Sequence, residues 1–308
     1  MRKRFEFLGL LGLLWILLFQ LFRILFLSYH YVKALELPAS YWVKSAWHGL
    51  RMDVSFAGYI LVLPTLLMLF TARKWQWYGG FIRIYLGIVS FAIVLLTIAD
   101  LEMFRSWGFR IDATFLQYMN TPAEAWASVG AAPVFTLFCL FVLVYGMVLK
   151  LIVTITNRTV PFFTRISWLR ATPVFLLLTG ALIIPIRGGL QLAPMNESAV
   201  FFSERSFANY AAVNVPWNFM SSVVHARYSN KNPFVYFSSE QVQTQMDSLY
   251  TVDGESISVL DTTKPVNVIV IIWESFTAKV VESLGGVKGV TPEFAALTKE
   301  GMLFTNLY

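Results

Sequence analysis

Charge is scarce in this chain: Asp, Glu, Lys and Arg together make up 14% of its 308 residues, against about 25% in a typical soluble domain. That shortage excludes an ordinary water-soluble enzyme and a disordered polypeptide, both of which need abundant charged or polar surface. Cysteine occurs once, as Cys139, which excludes a disulfide framework within the chain and a cysteine-based zinc or iron–sulfur centre. What is abundant is apolar: 57% of residues are hydrophobic and the mean hydropathy is +0.62. The formal charge is +6, but the basic residues gather at the ends of apolar runs and form no continuous basic face. That distribution marks membrane topology and argues against nucleic acid as a partner.

Five apolar runs are long enough to cross a hydrocarbon core of ~30 Å at ~1.5 Å per residue. They are Phe7–Leu27, Val54–Thr71, Phe81–Ala99, Ala131–Leu149 and Trp168–Ile186. The first follows Arg2, Lys3 and Arg4 as a signal peptide would. It is too long for a signal h-region, and no small-x-small cleavage site follows, so an uncleaved helix is expected. Arg73 and Lys74 in one loop, and Lys150, Arg158, Arg165 and Arg170 in another, join the basic N-terminus on the cytoplasmic side. Lys33, Lys44, Arg51, Arg105 and Arg110 in the alternate loops are mixed with Glu36, Asp53, Asp100, Glu102, Asp112 and Glu124. Five spans then place everything after Ile186 outside, which in a bacterium is the outer face of the cytoplasmic (inner) membrane. Arg23 and Arg83 lie near helix ends and are expected to snorkel. Pro64, Pro173 and Pro185 are candidate kinks, and Cys139 is expected to be a small buried hydrophobe. The 100–130 segment, with Trp107, Phe109, Phe115 and Tyr118 among its charges, reads as an interfacial loop or as a docking surface for a polar headgroup.

After the spans, Arg187-Gly188-Gly189 is a turn, and Phe201–Tyr228 is rich in aromatics and Asn, which predicts short helices at the membrane surface. Ser239–Tyr250 reads as a polar helix capped by Ser238 or Ser239, Asp253-Gly254 as a turn, and Thr262 to Pro265 as a domain boundary. At Val266 the pattern changes to eight residues through Trp273, β-branched and nearly all apolar, the pattern of a strand buried on both faces. Glu274 follows directly. Ligands of open α/β sheets bind outside the carboxyl ends of strands, so Glu274 is either a hard oxygen ligand for a divalent cation or an acid favoured at a helix N-terminus. Gly285, Gly286 and Gly289 make a loop, Thr291-Pro292-Glu293 starts a helix, Gly301 ends it, and Met302–Tyr308 reads as a second strand. The fold class expected is a five-helix transmembrane bundle (1–189), an extracytoplasmic interfacial linker (190–264) and the first β-α-β portion of an α/β domain (265–308). One β-α-β unit is too little for a stable α/β domain, so the chain is expected to be part of a longer protein.

The string Asn267 to Phe276, then Gly285-Gly286, Thr291-Pro292-Glu293-Phe294, Lys299-Glu300-Gly301 and Phe304-Thr305-Asn306, resembles the lipoteichoic acid synthase family of the alkaline phosphatase/sulfatase superfamily. That family's order of five membrane helices, interfacial linker and extracytoplasmic catalytic domain matches in outline, and Arg187-Gly188-Gly189 with the Asn196–Asn218 stretch looks like the linker of its sulfatase-like members from Gram-negative bacteria. The resemblance implies a divalent metal, Mn²⁺ first with Mg²⁺ or Zn²⁺ as alternatives, and Glu274 as one of its ligands. It implies a threonine nucleophile beyond Tyr308, since neither Thr277 nor Thr305 sits at the family's position, and further Asp and His ligands downstream. The implied reaction moves a phosphoglycerol-like headgroup from a membrane phospholipid, through a threonine ester, to an envelope glycan or lipid acceptor. The 1–308 segment alone is expected to be inactive. A sulfatase-type ester hydrolase is the near alternative. A transporter or sensor whose outer part only binds is the distant one, although internal repeats and midplane charges are not evident.

Overall fold

The computed structural model describes residues 1–72, 75–118, 133–228, 235–251, 267–274 and 276–305. It divides into two units, Met1–Phe234 and Val235–Tyr308.

The first unit contains five helices long and apolar enough to cross a membrane. We label them α1 (Arg2–Tyr29), α2 (Ala39–Leu67), α3 (Gln76–Trp107), α4 (Val134–Thr159) and α5 (Trp168–Ala181, continued by the turn Ile183–Ile186). Each of the first four extends beyond the run expected from hydropathy, because helix propagation continues past the last apolar residue once the first turns are fixed. The start of the fourth expected run, Ala131, lies outside the described residues. The inner face packs Phe7, Leu11, Trp15, Tyr78, Ile82, Leu86, Val148 and Phe175 into one core. Leu17, Ile24, Ile84, Ile88, Phe138 and Leu143 point outward and are exposed and apolar, as hydrocarbon solvent requires. Cys139 is on this outward side and exposed, not buried as expected. A small apolar side chain satisfies a lipid-facing position as well as a core one. Arg83 is exposed and donates to Asn157 Oδ1 at 2.6 Å.

Pro64 sits inside α2, where its missing N–H frees the Ile60 carbonyl. The Tyr85 hydroxyl of α3 donates to that carbonyl at 3.1 Å, and the Tyr78 hydroxyl donates to the Pro64 carbonyl at 3.0 Å. Two tyrosines of one neighbouring helix thus satisfy backbone oxygens where no water is available.

The ends of the bundle are tied differently. At the N-terminal end, buried Arg4 donates from Nε to Thr71 Oγ1, from Nη2 to the Thr71 carbonyl and from Nη1 to the Thr164 carbonyl, all within 3.0 Å. This places the start of α1, the end of the second span and the α4–α5 connection together, as alternating spans demand. At the opposite end the chain after α5 folds back. Gly188 and Gly189 take φ of 78° and 133°, the left-handed region in which glycine is unstrained. The short helix α6 (Ser206–Ala212) packs on α2, and α7 (Val215–Tyr228) packs on α3 and α2. These helices are not merely laid on the membrane surface as expected: residues 211–218 are all buried, with Val213 and Trp217 packed on Met52, Met195 and Val200. The 100–130 segment also differs. Its first residues continue α3 to Trp107, so Asp100, Glu102 and Arg105 are helical, while Glu124 lies outside the described residues.

In the second unit, α8 (Ser239–Tyr250) carries the expected cap. Ser238 Oγ accepts from Gln241 N while the Gln241 side chain accepts from Ser238 N, a reciprocal capping box. The expected helix at Thr291-Pro292 is present as α9 (Pro292–Glu300), but the Thr291 hydroxyl donates to the Val280 carbonyl at 2.6 Å instead of capping it. Between them lie two single turns, Ala278–Val280 and Glu282–Leu284, and Gly285 at φ 83°. The expected β-α-β unit is not formed: among the described residues there is no strand, and 267–273 and 302–304 carry no ladder. Strand structure is made by a neighbour's hydrogen bonds, and two strands alone are marginal at best. The turn expected at Asp253-Gly254, the boundary at Thr262–Pro265, Val266, Ser275 and Asn306–Tyr308 lie outside the described residues.

Candidate functional site

The residue types that carry chemistry converge at the linker end of the bundle. Arg23 of α1 is not snorkelling: its side chain is buried and faces Asp53 of α2 through two bonds, Nη1 to Oδ2 at 2.9 Å and Nη2 to Oδ1 at 3.1 Å. Asp53 also accepts from Gln20 Nε2 and from Asn214 Nδ2, each at 2.9 Å. The remaining Arg23 donors reach the linker backbone, Nε to the Ala211 carbonyl at 3.0 Å and Nη2 to the Ala212 carbonyl at 3.1 Å. Every charged atom of the pair therefore has a partner, as burial of an ion pair demands.

Gly49 makes this arrangement fit. A Cβ there would lie 2.1 Å from Arg23 Nη2 and 2.4 Å from the Ala212 carbonyl oxygen. The second contact is backbone and cannot swing away. Gly49→Ala is expected to lower stability by about 1–3 kcal/mol and to expose the 187–228 segment to proteolysis. Unfolding in mixed micelles together with limited proteolysis measures both, and an unchanged digest would contradict the close approach.

A second buried pair lies alongside. Gly108, at φ 78°, ends α3 and turns the chain so that Asp100 Oδ1 accepts from Ile111 N at 2.8 Å and Oδ2 meets Arg110 Nη1 at 3.0 Å. The Arg110 guanidinium lies 3.8 Å from the Phe26 ring centroid and reaches the Val213 carbonyl at 3.4 Å. Burial pulls the Arg110 pKa down and Arg23 adds to this, while Asp100 and Glu197 oppose it. Glu197 is itself raised by burial and by Asp112, against Arg110. Arg23, Asp53, Arg110 and Asn214 border a cavity of about 10 Å³, room for about one water. Arg110 Nε has no hydrogen-bond partner among the described residues.

Beside this cluster His30 is buried against Phe26 and Phe104, with ring centroids 4.8 and 5.0 Å apart. Its pKa falls to about 4, first through burial and then through Arg110 and Lys33. A base whose folded pKa lies below its unfolded value leaves stability intact above pH ~6.5 and removes it as pH falls toward 4. Wild type is therefore expected to lose on the order of 2–3 kcal/mol more than His30→Phe between pH 7 and 4. Glu197 contributes in the opposite sense, but equally in both proteins, so the difference between their pH–stability curves isolates His30. Parallel curves would exclude it.

On the same end an open groove of about 450 Å³ is bordered by Lys33, Glu36, Phe104, Arg205, Phe207 and Tyr210. Arg205 Nη1 donates to the Glu36 carbonyl at 2.8 Å. Two cations, a phenol and aromatic walls can receive an anionic polar group.

Glu274, the candidate metal ligand, is in the second unit, exposed in a turn after the extended 267–273 segment. Trp273, Phe276 and Phe294 pack beside it, with ring centroids 4.9–6.1 Å apart. Among the described residues no three His, Cys, Asp or Glu side chains converge. One carboxylate does not make a centre of four to six ligands, so these residues by themselves do not fit a bound metal. Thr277 Oγ1 accepts from Lys279 N, and Thr305 is exposed.

Sequence reasoning does not single out Gly49, Asp53, Asn214 or Gln20 as site residues. The available signal is a carboxylate and an arginine within or beside apolar runs, where pairing competes with snorkelling. No family model matches the chain, and no solved structure matches it.

Proposed function

We propose that this chain is the membrane and linker part, with the first segment of the catalytic domain, of a metal-dependent phosphotransferase resembling the lipoteichoic acid synthases. The observation that carries the reading is a succession within one chain: five spans, a linker locked to one end of the bundle, and the apolar segment 267–273 ending in Glu274 and followed by α9. The groove beside Lys33, Arg205 and Tyr210 supports a phospholipid donor, because it opens at the end of the spans and offers donors to a phosphate diester. The buried charges favour this reading over a transporter. They sit at the linker end and bind the linker itself, whereas a transport pathway places them near the midplane.

In the proposed reaction a threonine oxygen encoded downstream attacks the lipid phosphorus. The phosphorus–oxygen bond to diacylglycerol breaks, diacylglycerol leaves with the proton, and the headgroup phosphate remains as a threonine ester until an envelope acceptor takes it. Glu274 would supply one oxygen ligand to a divalent metal, and its other ligands would have to come from residues outside 1–308. The test uses the protein extended through its downstream coding segment, in phosphatidylglycerol vesicles with Mn²⁺. Diacylglycerol release that EDTA stops, together with a threonine peptide carrying phosphoglycerol, is the expected result. No release with Mn²⁺, Mg²⁺ or Zn²⁺, or cleavage of an aryl sulfate in its place, would overturn it.

A further inference from the structure

The turn that follows the fifth span is held by two arginines that the linker-locking cluster does not use. Arg51 of α2 donates from Nε and Nη2 to the Gly188 carbonyl at 3.0 and 2.9 Å and meets Gln191 Oε1. Arg187 donates from Nη2 to the Gln191 and Leu192 carbonyls at 3.2 and 2.8 Å. Both guanidiniums are thus fixed on the same 188–192 turn, and all their partners are neutral. Among the described residues no carboxylate lies within ion-pair distance of either. Two arginines tethered to carbonyls of one short turn, with neutral partners only, offer positive charge to an anion at part of the usual ordering cost.

The adjoining surface is of the opposite kind. An open groove of about 490 Å³ runs beside Arg51, walled by Trp47, Leu50, Val54, Ile184 and Pro185. The groove follows from the close packing of α2 on the 183–186 turn. Ser55 Oγ donates to the Ile186 carbonyl at 2.8 Å, and a Cβ on Gly58 would lie 3.1 Å from Ile186. Trp47 stands 73% exposed on its rim, as tryptophans do where hydrocarbon meets headgroups. Arg51 borders the groove, and Arg187 is tethered to the turn beside it; an apolar groove next to these cations matches one molecule of amphiphilic shape, acyl chain along the wall and phosphate at the guanidiniums.

We propose that Arg51, Arg187 and the groove of Trp47, Leu50, Val54, Ile184 and Pro185 bind one acidic phospholipid, phosphate to arginine and acyl chain to groove. The site is separate from the Lys33–Arg205 groove and independent of the proposed reaction. A lipid held there bridges α2 to the turn that begins the linker.

The test measures lipid preference of the purified protein in nanodiscs by electron paramagnetic resonance, with spin-labelled phosphatidylglycerol and phosphatidylcholine. Wild type is expected to prefer phosphatidylglycerol several-fold, and the preference should survive an excess of inorganic phosphate. Arg51→Gln combined with Arg187→Gln should bring it close to one. Val54→Trp, which fills the groove and leaves both charges, should lower it as well, and this variant carries the test if the double variant does not fold. Absence of a preference in wild type, an unchanged preference in a folded variant of either kind, or displacement by phosphate would overturn the proposal.

Discussion

Asp53→Ala is expected to cost the membrane unit about 3–5 kcal/mol, the range for stranding one partner of a buried ion pair. The carboxylate receives four side-chain hydrogen bonds, two from Arg23 and one each from Gln20 and Asn214. Removing it leaves a guanidinium buried with carbonyls only, and releases Asn214 from the bundle. The cost is chiefly that of the stranded charge, not the worth of the pair. The double variant Arg23→Met, Asp53→Leu should therefore recover much of the loss, since apolar replacements of similar volume remove both charges together. Unfolding by SDS in mixed micelles reads both numbers. A single variant within about 1 kcal/mol of wild type would show that the pair is hydrated and exposed.

In the proposed phosphotransferase, Glu274→Ala should lower headgroup transfer about 10³-fold or more, equivalent to about 4 kcal/mol of transition-state stabilisation. Thermal stability should hardly change, because Glu274 is exposed. Glu274→Gln should be nearly as inactive, since an amide oxygen is a weaker ligand and carries no charge. The two readouts together separate a ligand from a structural acid. Unaltered turnover would remove Glu274 from the site, and lost turnover with a lowered melting temperature would make it structural.

Apolar runs, caps and turns are local signals, and they are legible in the sequence. All five spans, the Ser238 cap, the Thr291-Pro292 start and the Gly188-Gly189 turn follow from residues within a few positions of each other. The buried pairs are not. Arg23 and Asp53 are thirty positions apart in sequence, and each alone has two acceptable fates in a membrane helix, snorkelling or pairing. Only the approach of α1 to α2, which Gly49 permits, selects between them. Asp100 is hidden for a different reason: hydropathy places the end of α3 at the last apolar residue, whereas the helix continues to Trp107 and carries Asp100 into contact with Arg110. The linker illustrates the same limit. Its aromatic and Asn-rich composition announces a surface near the membrane, but the Ala211 and Ala212 carbonyls meet Arg23 through backbone atoms that composition does not reveal. The apolar 267–273 segment has strand composition without a ladder, because pairing belongs to the neighbours and not to the segment.

The proposed reaction requires the linker end of the bundle, and all that follows it, to face away from the cytoplasm. The single native cysteine makes this directly measurable. With Cys139→Ala as background, Ser248→Cys and Arg165→Cys are labelled on intact cells by a membrane-impermeant maleimide. Labelling of the cysteine at 248 alone is the predicted result, with that at 165 reacting only after permeabilisation. The reverse pattern would place Glu274 and the linker in the cytoplasm and contradict the proposed envelope phosphotransferase.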